Sequence, residues 1–257
     1  MERKHLLSRR QFIGATVAIA LGAGVTDALA FEPHNLRVSH LKLTSKPITR
    51  FVVWSDFHHD GDAEYAEEIV ATINGLNPDF VCFLGDLIDN PLHQTSALKF
   101  IRGIRHPVYG VPGNHDYRCG TPFGPNIKAF ADTGGAWLVN KHAHPLGDKI
   151  ELWGSAERYV GFVPQSSEKP RILLTHYPMT VRETANRRFT AVFAGHSHGG
   201  QVRLPFYGAI KLPRYVGPYD MGLFSTEAGP LYVNAGVGTF GVPARFNCPP
   251  EITVVEL

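Results

Sequence analysis

The sequence predicts an α/β protein, because short apolar segments alternate with amphipathic segments along most of the chain. Five of the apolar segments are rich in Val, Ile, Leu and Phe and are bounded by Gly, Pro or Asp, as buried strands are. They comprise residues 50–55, 80–84, 107–111, 171–175 and 191–194. Strands that alternate with helices in this way are typical of layered α/β folds.

Three amphipathic segments between these strands predict helices. Residues 62–76 place small and branched apolar residues at helical spacing, and Asp62 can cap the first turn. Residues 95–104 and 126–133 predict two further helices that connect strands. Beyond about residue 200 the helical pattern fades, and three late segments predict strands of a second, mostly antiparallel sheet: residues 201–204, 231–234 and 252–256.

Length and composition predict one globular domain, which we place at residues 37–257. A hydrophobic content of 44% and a charged content of 19% are ordinary for a folded protein. The formal charge of +2 comes from the first thirty residues, which hold four basic and two acidic side chains. The remainder is neutral and has no basic stripe, so we expect no specific nucleic-acid partner.

The first thirty residues predict an export signal. Arg9 and Arg10 precede an apolar segment at residues 12–25 and a small-residue cleavage site at residues 28–30. Paired arginines followed by Phe12 resemble the bacterial twin-arginine signal, which the export machinery recognises. The apolar segment is shorter than the ~20 residues that span a bilayer. We therefore expect a twin-arginine signal peptide at residues 1–30, the export machinery as a partner, and a periplasmic or envelope location.

The three cysteines are too few for a disulfide framework. Cys82 lies inside an apolar segment and is predicted to be a core residue. A Cys119–Cys248 bridge is conceivable in an oxidising compartment, and the sequence leaves it open.

Residues that can bind metal ions follow each of the five predicted strands directly. In an open α/β sheet, ligands bind beyond the carboxyl ends of the strands, so we expect these residues at one edge of the sheet. Carboxylate, imidazole and amide groups without thiolate suit Mn, Fe or Zn ions. The candidates are Asp56, His58, Asp86, Asn114, His176, His196 and His198.

These residues form an ordered set of motifs, D-x-H, G-D-x-x-D, G-N-H-D, a single His and G-H-x-H, between residues 51 and 198. The set resembles the calcineurin-like metallophosphoesterase family. The resemblance implies a four-layer α/β/β/α sandwich that binds two divalent metal ions. It also implies that Asp86 bridges the ions, between one group with Asp56, His58 and His198 and another with Asn114, His176 and His196.

By the same resemblance, His115 acts as the general acid that assists the leaving oxygen. Asp89, three residues after Asp86, would orient His115 by accepting a hydrogen bond from its other ring nitrogen. Arg203 and Arg245 are candidates for substrate binding, because guanidinium groups pair with phosphate oxygens. A solvated position suits each arginine equally well. The aromatic-rich residues 206–224 suit either a pocket loop or a packed loop.

The predicted activity is that of a metal-dependent phosphoesterase. Residues 199–205, 232–236 and 245–252 resemble a bacterial branch that includes exported envelope phosphodiesterases and UDP-diacylglucosamine hydrolases. We therefore expect a phosphodiesterase acting on a small phosphate ester, a lipid or an envelope polymer, in peripheral contact with a membrane. An alternative within the branch is a UDP-2,3-diacylglucosamine-type pyrophosphate hydrolase of lipid A metabolism.

Two other classes of protein fit less well. A non-catalytic metal-binding protein would not need His115 with Asp89 behind it. Residues 195–199 also match the G-x-S-x-G motif of serine hydrolases, but no histidine follows His198 to complete the triad.

Overall fold

The computed structural model describes residues 22, 24–156, 163, 167–184 and 186–257. Most of the predicted export signal, residues 1–21 and 23, lies outside the described residues. Among the helices that are described, none has the length and apolar character that crossing a membrane requires.

Two six-stranded sheets, with strand orders β1-β15-β2-β3-β4-β5 and β13-β14-β10-β9-β8-β6, form the body of the described chain. Strands β11 and β12 pair separately as a small antiparallel hairpin. The strands are β1 (Arg37–Lys42), β2 (Arg50–Trp54), β3 (Val81–Phe83), β4 (Val108–Gly110), β5 (Ala136–Trp137), β6 (His142–Ala143), β7 (Pro145–Asp148), β8 (Glu151–Gly154), β9 (Arg171–Leu174), β10 (Ala191–Ala194), β11 (Arg203–Leu204), β12 (Gly208–Ala209), β13 (Gly222–Thr226), β14 (Gly229–Val233) and β15 (Glu251–Glu256).

The three predicted helices are confirmed, with small shifts at their ends. The side chain of Asp62 accepts a hydrogen bond from the Tyr65 amide, so it caps the first of them as expected. A fourth, five-residue helix was not predicted, because it is too short to show an apolar period. The helices are α1 (Ala63–Gly75), α2 (Gln94–Gly103), α3 (Asn114–Arg118) and α4 (Gly124–Asp132).

Three apolar layers hold the sheets and helices together. Helices α1, α2 and α4 cover the outer face of the first sheet. The inner faces of the two sheets meet in a second layer, where the Phe51 ring stacks on Phe80 at 4.8 Å and meets Phe193 edge-on at 5.5 Å. Burying a side chain of this size contributes roughly 1.5–3 kcal/mol.

The 3₁₀ helix Pro178–Glu183 and nearby loops cover the outer face of the second sheet. The layer order implied by the family resemblance is therefore present. Among the described residues, a 3₁₀ helix and loops stand where an α-helical layer was expected.

The prediction that the C-terminal strands form one mostly antiparallel sheet is wrong. β15 inserts into the first sheet, parallel to β1 and antiparallel to β2. β14 joins the second sheet, parallel to β10, and β11 pairs only with β12. An alternating pattern identifies a strand but not its partner, because pairing depends on contacts that are distant in sequence.

The five motif-bearing strands also divide between the sheets, so they do not share a single sheet edge. β2, β3 and β4 belong to the first sheet, and β9 and β10 belong to the second. Within each sheet these strands run parallel, which directs their carboxyl ends the same way. The two sets of ends converge where the sheets pack together.

Arg245 has a structural role that differs from the predicted substrate contact. Its side chain is fully buried, and its guanidinium donates hydrogen bonds to four backbone carbonyls. These belong to Ala235, Gly236, Gly238 and Cys248, at distances of 2.5–3.0 Å. The residue therefore fixes the chain that follows β14 and presents no surface to a substrate.

We expect Arg245→Met to lower the free energy of unfolding by about 3 kcal/mol or more, because four carbonyls lose a charged donor. Chemical denaturation measures the change. The exposed Arg105→Met serves as the matched control and should stay within about 0.5 kcal/mol of wild type. Wild-type stability together with a raised KM would instead restore the substrate-binding hypothesis for Arg245.

Candidate metal centre

The carboxyl ends of the five strands bring the seven predicted ligands into one buried centre. Among them only Asn114, the first residue of α3, is half-buried, and the other six are buried. The chain must turn sharply after each strand for these side chains to converge. Five of them therefore adopt the left-handed conformation, with φ between 43° and 68°: Asp56, His58, Asp86, His196 and His198.

Left-handed backbone costs a non-glycine residue roughly 1–2 kcal/mol, so the surrounding structure must hold it in place. Backbone hydrogen bonds between neighbouring strand ends do this. The amide of Asp56 donates to the Gly85 carbonyl at 2.9 Å, and the amide of His58 donates to the Asp86 carbonyl at 3.0 Å. The strained turns after β2 and β3 thus support each other.

Asp56, His58 and His198 form the first group of ligand atoms, which lie within 4.8 Å of one another. The Nε2 atoms of the two histidines are 3.2 Å apart, and Asp56 Oδ1 lies 3.4 Å from His198 Nε2. The Asp56 carboxylate accepts hydrogen bonds from the Ser55 hydroxyl and the His196 amide. These donors fix its orientation and leave it facing the imidazoles.

Asp86, His176 and His196 form the second group, with Asn114 beside it. Asp86 Oδ2 lies 3.2 Å from His176 Nε2, and Asn114 Oδ1 lies 3.0 Å from the same nitrogen. Asp86 Oδ2 is also 3.6 Å from His58 Nε2 in the first group. This carboxylate therefore faces both groups, which is the placement that a bridging ligand needs.

The histidine tautomers indicate that the second group is built for a cation. His176 Nδ1 donates to the Leu84 carbonyl at 2.8 Å, and His196 Nε2 donates to the Arg214 carbonyl at 2.8 Å. Each ring's remaining nitrogen then carries a lone pair, and these two nitrogens lie 3.0 Å apart. Two facing lone pairs repel unless a metal ion or a proton lies between them.

The electrostatics of the centre point the same way. Burial lowers the pKa of His176, but the charge of Asp86 and its hydrogen bond outweigh this effect and raise that pKa to about 9. Burial raises the pKa of Asp56. Without a bound cation the buried carboxylates thus draw a proton into the centre. Oxygen and nitrogen donors without a thiolate suit Mn, Fe or Zn, as predicted.

Asp89 and His115 come together as predicted and lie beside the first group. Asp89 Oδ1 accepts from His115 Nδ1 at 2.6 Å. It also accepts from His58 Nδ1 at 2.7 Å, a contact that the sequence did not predict. Burial raises the pKa of Asp89, but the two imidazole hydrogen bonds outweigh burial and hold that pKa well below its usual range. The carboxylate is therefore ionised and orients both rings.

Asp116 is a supporting residue of the centre that was not predicted from the sequence. Its buried carboxylate accepts hydrogen bonds from the amides of Gly113, Asp86 and Leu87 at 2.8–3.0 Å. Burial and the nearby charge of Asp86 raise its pKa to about 6. It ties the chain after β3 to the chain after β4, and its place at the end of G-N-H-D was the available signal.

The remaining candidates lie outside the ligand groups. Arg203 donates to the Gly199 carbonyl at 2.7 Å and pairs with Asp220 at 2.9 Å, so its role in substrate binding stays a prediction. Ser197 is fully buried and accepts from the Gly199 amide, which leaves it inaccessible as a nucleophile. Cys119 and Cys248 are free thiols in the structure.

Comparison with known proteins agrees with this geometry. The sequence model of the family described as calcineurin-like phosphoesterase matches residues 49–200. The metallophosphoesterase YkuE of Bacillus subtilis is 32% identical and covers 98% of both chains. A solved dimetal phosphatase of Danio rerio superposes with a TM-score of 0.50 at 12% identity, covering 75% of this chain and 88% of its own, which shows a shared fold.

Two further relatives have named activities. The phosphodiesterase YaeI of Escherichia coli is 27% identical, over 98% of this chain and 100% of its own. The UDP-2,3-diacylglucosamine pyrophosphatase LpxG of Chlamydia trachomatis is also 27% identical, over 93% of this chain and 98% of its own. The family match covers more than half of the chain and includes every ligand motif. The protein is therefore a member of the calcineurin-like phosphoesterase family and a metal-dependent hydrolase of phosphate esters.

Proposed function

We propose that the protein is an exported phosphodiesterase that cleaves a phosphodiester of the cell envelope or of a lipid. The pairing of Asp89 with His115 beside the two ligand groups carries this proposal. A protein that only stored metal ions would need the ligands but no ionisable group placed next to them. The pair supplies a proton-transferring group within a site that binds phosphate.

The ligand groups divide as the family resemblance implies. Asp56, His58 and His198 would hold one divalent ion, and Asn114, His176 and His196 the other. Asp86 faces both groups and would be shared between them. Two bound divalent ions supply charge stabilisation for the phosphoryl oxygens and activation of the attacking water.

His115 is placed to deliver a proton to the leaving group. Its Nδ1 is held by the ionised carboxylate of Asp89, so Nε2 is the ring atom that can exchange a proton with a substrate. A general acid acts by delivering its proton to the leaving oxygen, and this orientation of the ring leaves Nε2 available to do so. An alcohol is a poor leaving group unless it is protonated as it departs, and a diester releases one.

The contacts of the two candidate arginines support a phosphodiester over a phosphomonoester. A monoester carries about two negative charges at neutral pH, and additional cationic side chains commonly bind the second one. Arg245 is buried against backbone carbonyls, and Arg203 is paired with Asp220. Neither of the two candidate arginines has a free guanidinium, which suits a substrate with a single charge.

The relatives and the predicted export signal together support an envelope substrate. The YaeI relative is named a phosphodiesterase, and the match covers 98% of this chain and 100% of its own. Arg9-Arg10 and the small residues at 28–30 support export, which would bring the site to envelope lipids and polymers. The name of LpxG supports UDP-2,3-diacylglucosamine as the alternative. A lipid precursor made on the cytoplasmic face would be out of reach of an exported enzyme.

Metal removal tests the activity itself. We expect turnover of bis-p-nitrophenyl phosphate to be abolished by EDTA and restored by Mn, because the buried carboxylates and imidazoles need the ions. Turnover of p-nitrophenyl phosphate should be slower, and a UDP-diacylglucosamine analogue tests the alternative in parallel. Undiminished turnover after chelation, with less than one metal equivalent bound, would contradict the two-metal proposal.

Two substitutions separate acid catalysis from metal binding. His115→Ala should retain both metals and lose roughly 10²–10⁴-fold in kcat, the usual contribution of a general acid. Asp86→Ala should lose bound metal, because it removes the carboxylate that both groups face. Metal content is measured by elemental analysis beside kcat. Near-normal turnover by His115→Ala on a diester with a poor leaving group would exclude the acid role.

Export is tested by replacing the paired arginines. We expect Arg9→Lys with Arg10→Lys to keep the protein in the cytoplasm, while the wild type fractionates with the envelope or periplasm. The folded domain is unchanged, so activity in whole-cell lysates serves as the control. If both proteins remain cytoplasmic, the envelope assignment fails and the lipid-precursor substrate gains support.

A further inference from the structure

Large apolar side chains are exposed beside the metal centre, and the proposed chemistry does not use them. They lie on the β11–β12 hairpin and on the loop that precedes Arg245. Exposed apolar clusters on folded proteins commonly mark interaction sites. We call this surface the apolar rim and define it as Leu204, Phe206, Tyr207, Ile210, Phe240 and Val242.

Hydrogen bonds hold the two parts of the apolar rim side by side. The Gln201 side chain donates to the Val242 carbonyl at 3.0 Å and accepts from the Phe240 amide at 2.6 Å. The amide of Ile210 donates to the Val202 carbonyl at 3.1 Å, and Val202 bridges to Phe246. The hairpin and the loop thus form one continuous surface.

The apolar rim borders the metal centre directly. The hairpin begins five residues after His198, and the segment that follows it returns to the site, where the Arg214 carbonyl accepts from His196 Nε2. On the other side, the Phe240 ring lies 4.6 Å from the His115 ring, centroid to centroid. Whatever covers the apolar rim therefore also lies beside His115 and the metal centre.

The tip of the hairpin is poorly explained by folding alone. Phe206 is fully exposed and has a φ of 66°, a conformation that glycine or asparagine adopts at lower cost. The adjacent Tyr207 is 74% exposed. These rings are neither packed within the loop nor closed over a pocket. A bulky ring in a strained, exposed position contributes no packing energy unless a partner outside the protein covers it.

The described part of the N-terminal segment contacts the chain that directly follows the loop of the apolar rim. The Arg245 amide donates to the Ala28 carbonyl at 2.9 Å, and the Asn247 amide donates to Glu32 at 2.8 Å. Gly24 lies beside the Phe246 ring. Residues 24–32 therefore contact residues 245–247, which directly follow the loop of the apolar rim.

We propose that the apolar rim docks on a lipid bilayer and turns the metal centre toward a phosphodiester held in the membrane. The identity of that substrate rests on the proposed function, whereas docking is a separate property of the surface. Aromatic side chains favour the bilayer interface. The exposed Lys211 and Arg214 follow the hairpin and complement anionic headgroups. The cationic and the apolar side chains therefore both favour a lipid bilayer as the partner of this surface.

Fluorescence of single introduced tryptophans tests the orientation on the membrane. Full-length Tyr207→Trp is compared with Ile48→Trp, whose site is 53% exposed and lies outside the apolar rim. Both are mixed with vesicles of phosphatidylcholine and phosphatidylglycerol, with or without brominated acyl chains. We expect a shift to shorter wavelength and bromine quenching for Tyr207→Trp only. Phe206→Trp provides the same readout if Tyr207→Trp folds poorly.

The control separates docking from attachment by the N-terminal segment, which would bring both variants to the vesicle but immerse neither probe by itself. Equal quenching of both probes, or of neither, would overturn the proposal. So would emission of Tyr207→Trp that is already shifted without lipid and varies with protein concentration, because a second copy of the chain would then cover the rim. Turnover of soluble bis-p-nitrophenyl phosphate, measured on the same samples, reports the proposed function independently.

Discussion

The structure depends on burying two carboxylates, Asp56 and Asp86, close together inside the protein. A buried carboxylate is costly unless hydrogen bonds and opposite charges compensate for the lost water. Here the amide of His196 donates a hydrogen bond to the Asp56 carboxylate, and the amide of His115 donates one to the Asp86 carboxylate. The imidazoles around them supply the remaining contacts on the side where metal ions would lie. Compensation of this kind requires strands from both sheets to end at the same place.

That requirement explains much of the polar structure beneath the site. Asp116 holds the chain after β3 against the chain after β4, and Arg245 holds the chain after β14. In the segment after β14, the amides of Val237 and Gly238 donate hydrogen bonds to the carbonyls of Ser55 and Asp56. Close approach leaves no room for side chains, so a Cβ on Gly113 would overlap the Asp86 carboxylate. These contacts together stabilise the left-handed turns against their conformational cost.

Local features of this architecture could be predicted from the sequence, and long-range ones could not. The apolar runs located the strands, and helical spacing with Asp62 as a cap located α1, because both signals lie within one element. The chemistry of the residues after each strand identified the seven ligand candidates. No local signal indicated that β15 would insert between β1 and β2, since strand partners are chosen by tertiary packing. A sequence pattern also could not distinguish an arginine that donates to backbone carbonyls, as Arg245 does, from an arginine that binds a phosphate. Both positions favour the same side chain.

The two hydrogen bonds that Asp89 accepts also depend on tertiary packing, and they bear directly on the site. Its position three residues after Asp86 suggested a partner for His115, but only the folded turn shows that one oxygen also holds His58. The rings of His115 and His58 are therefore oriented by a single atom. Phe240 lies against both rings, at 4.6 Å from His115 and 5.9 Å from His58, and belongs to the apolar rim. An exposed surface thus touches the two imidazoles that Asp89 orients, so under the proposed function the access to the site and the geometry of its acid depend on the same few residues.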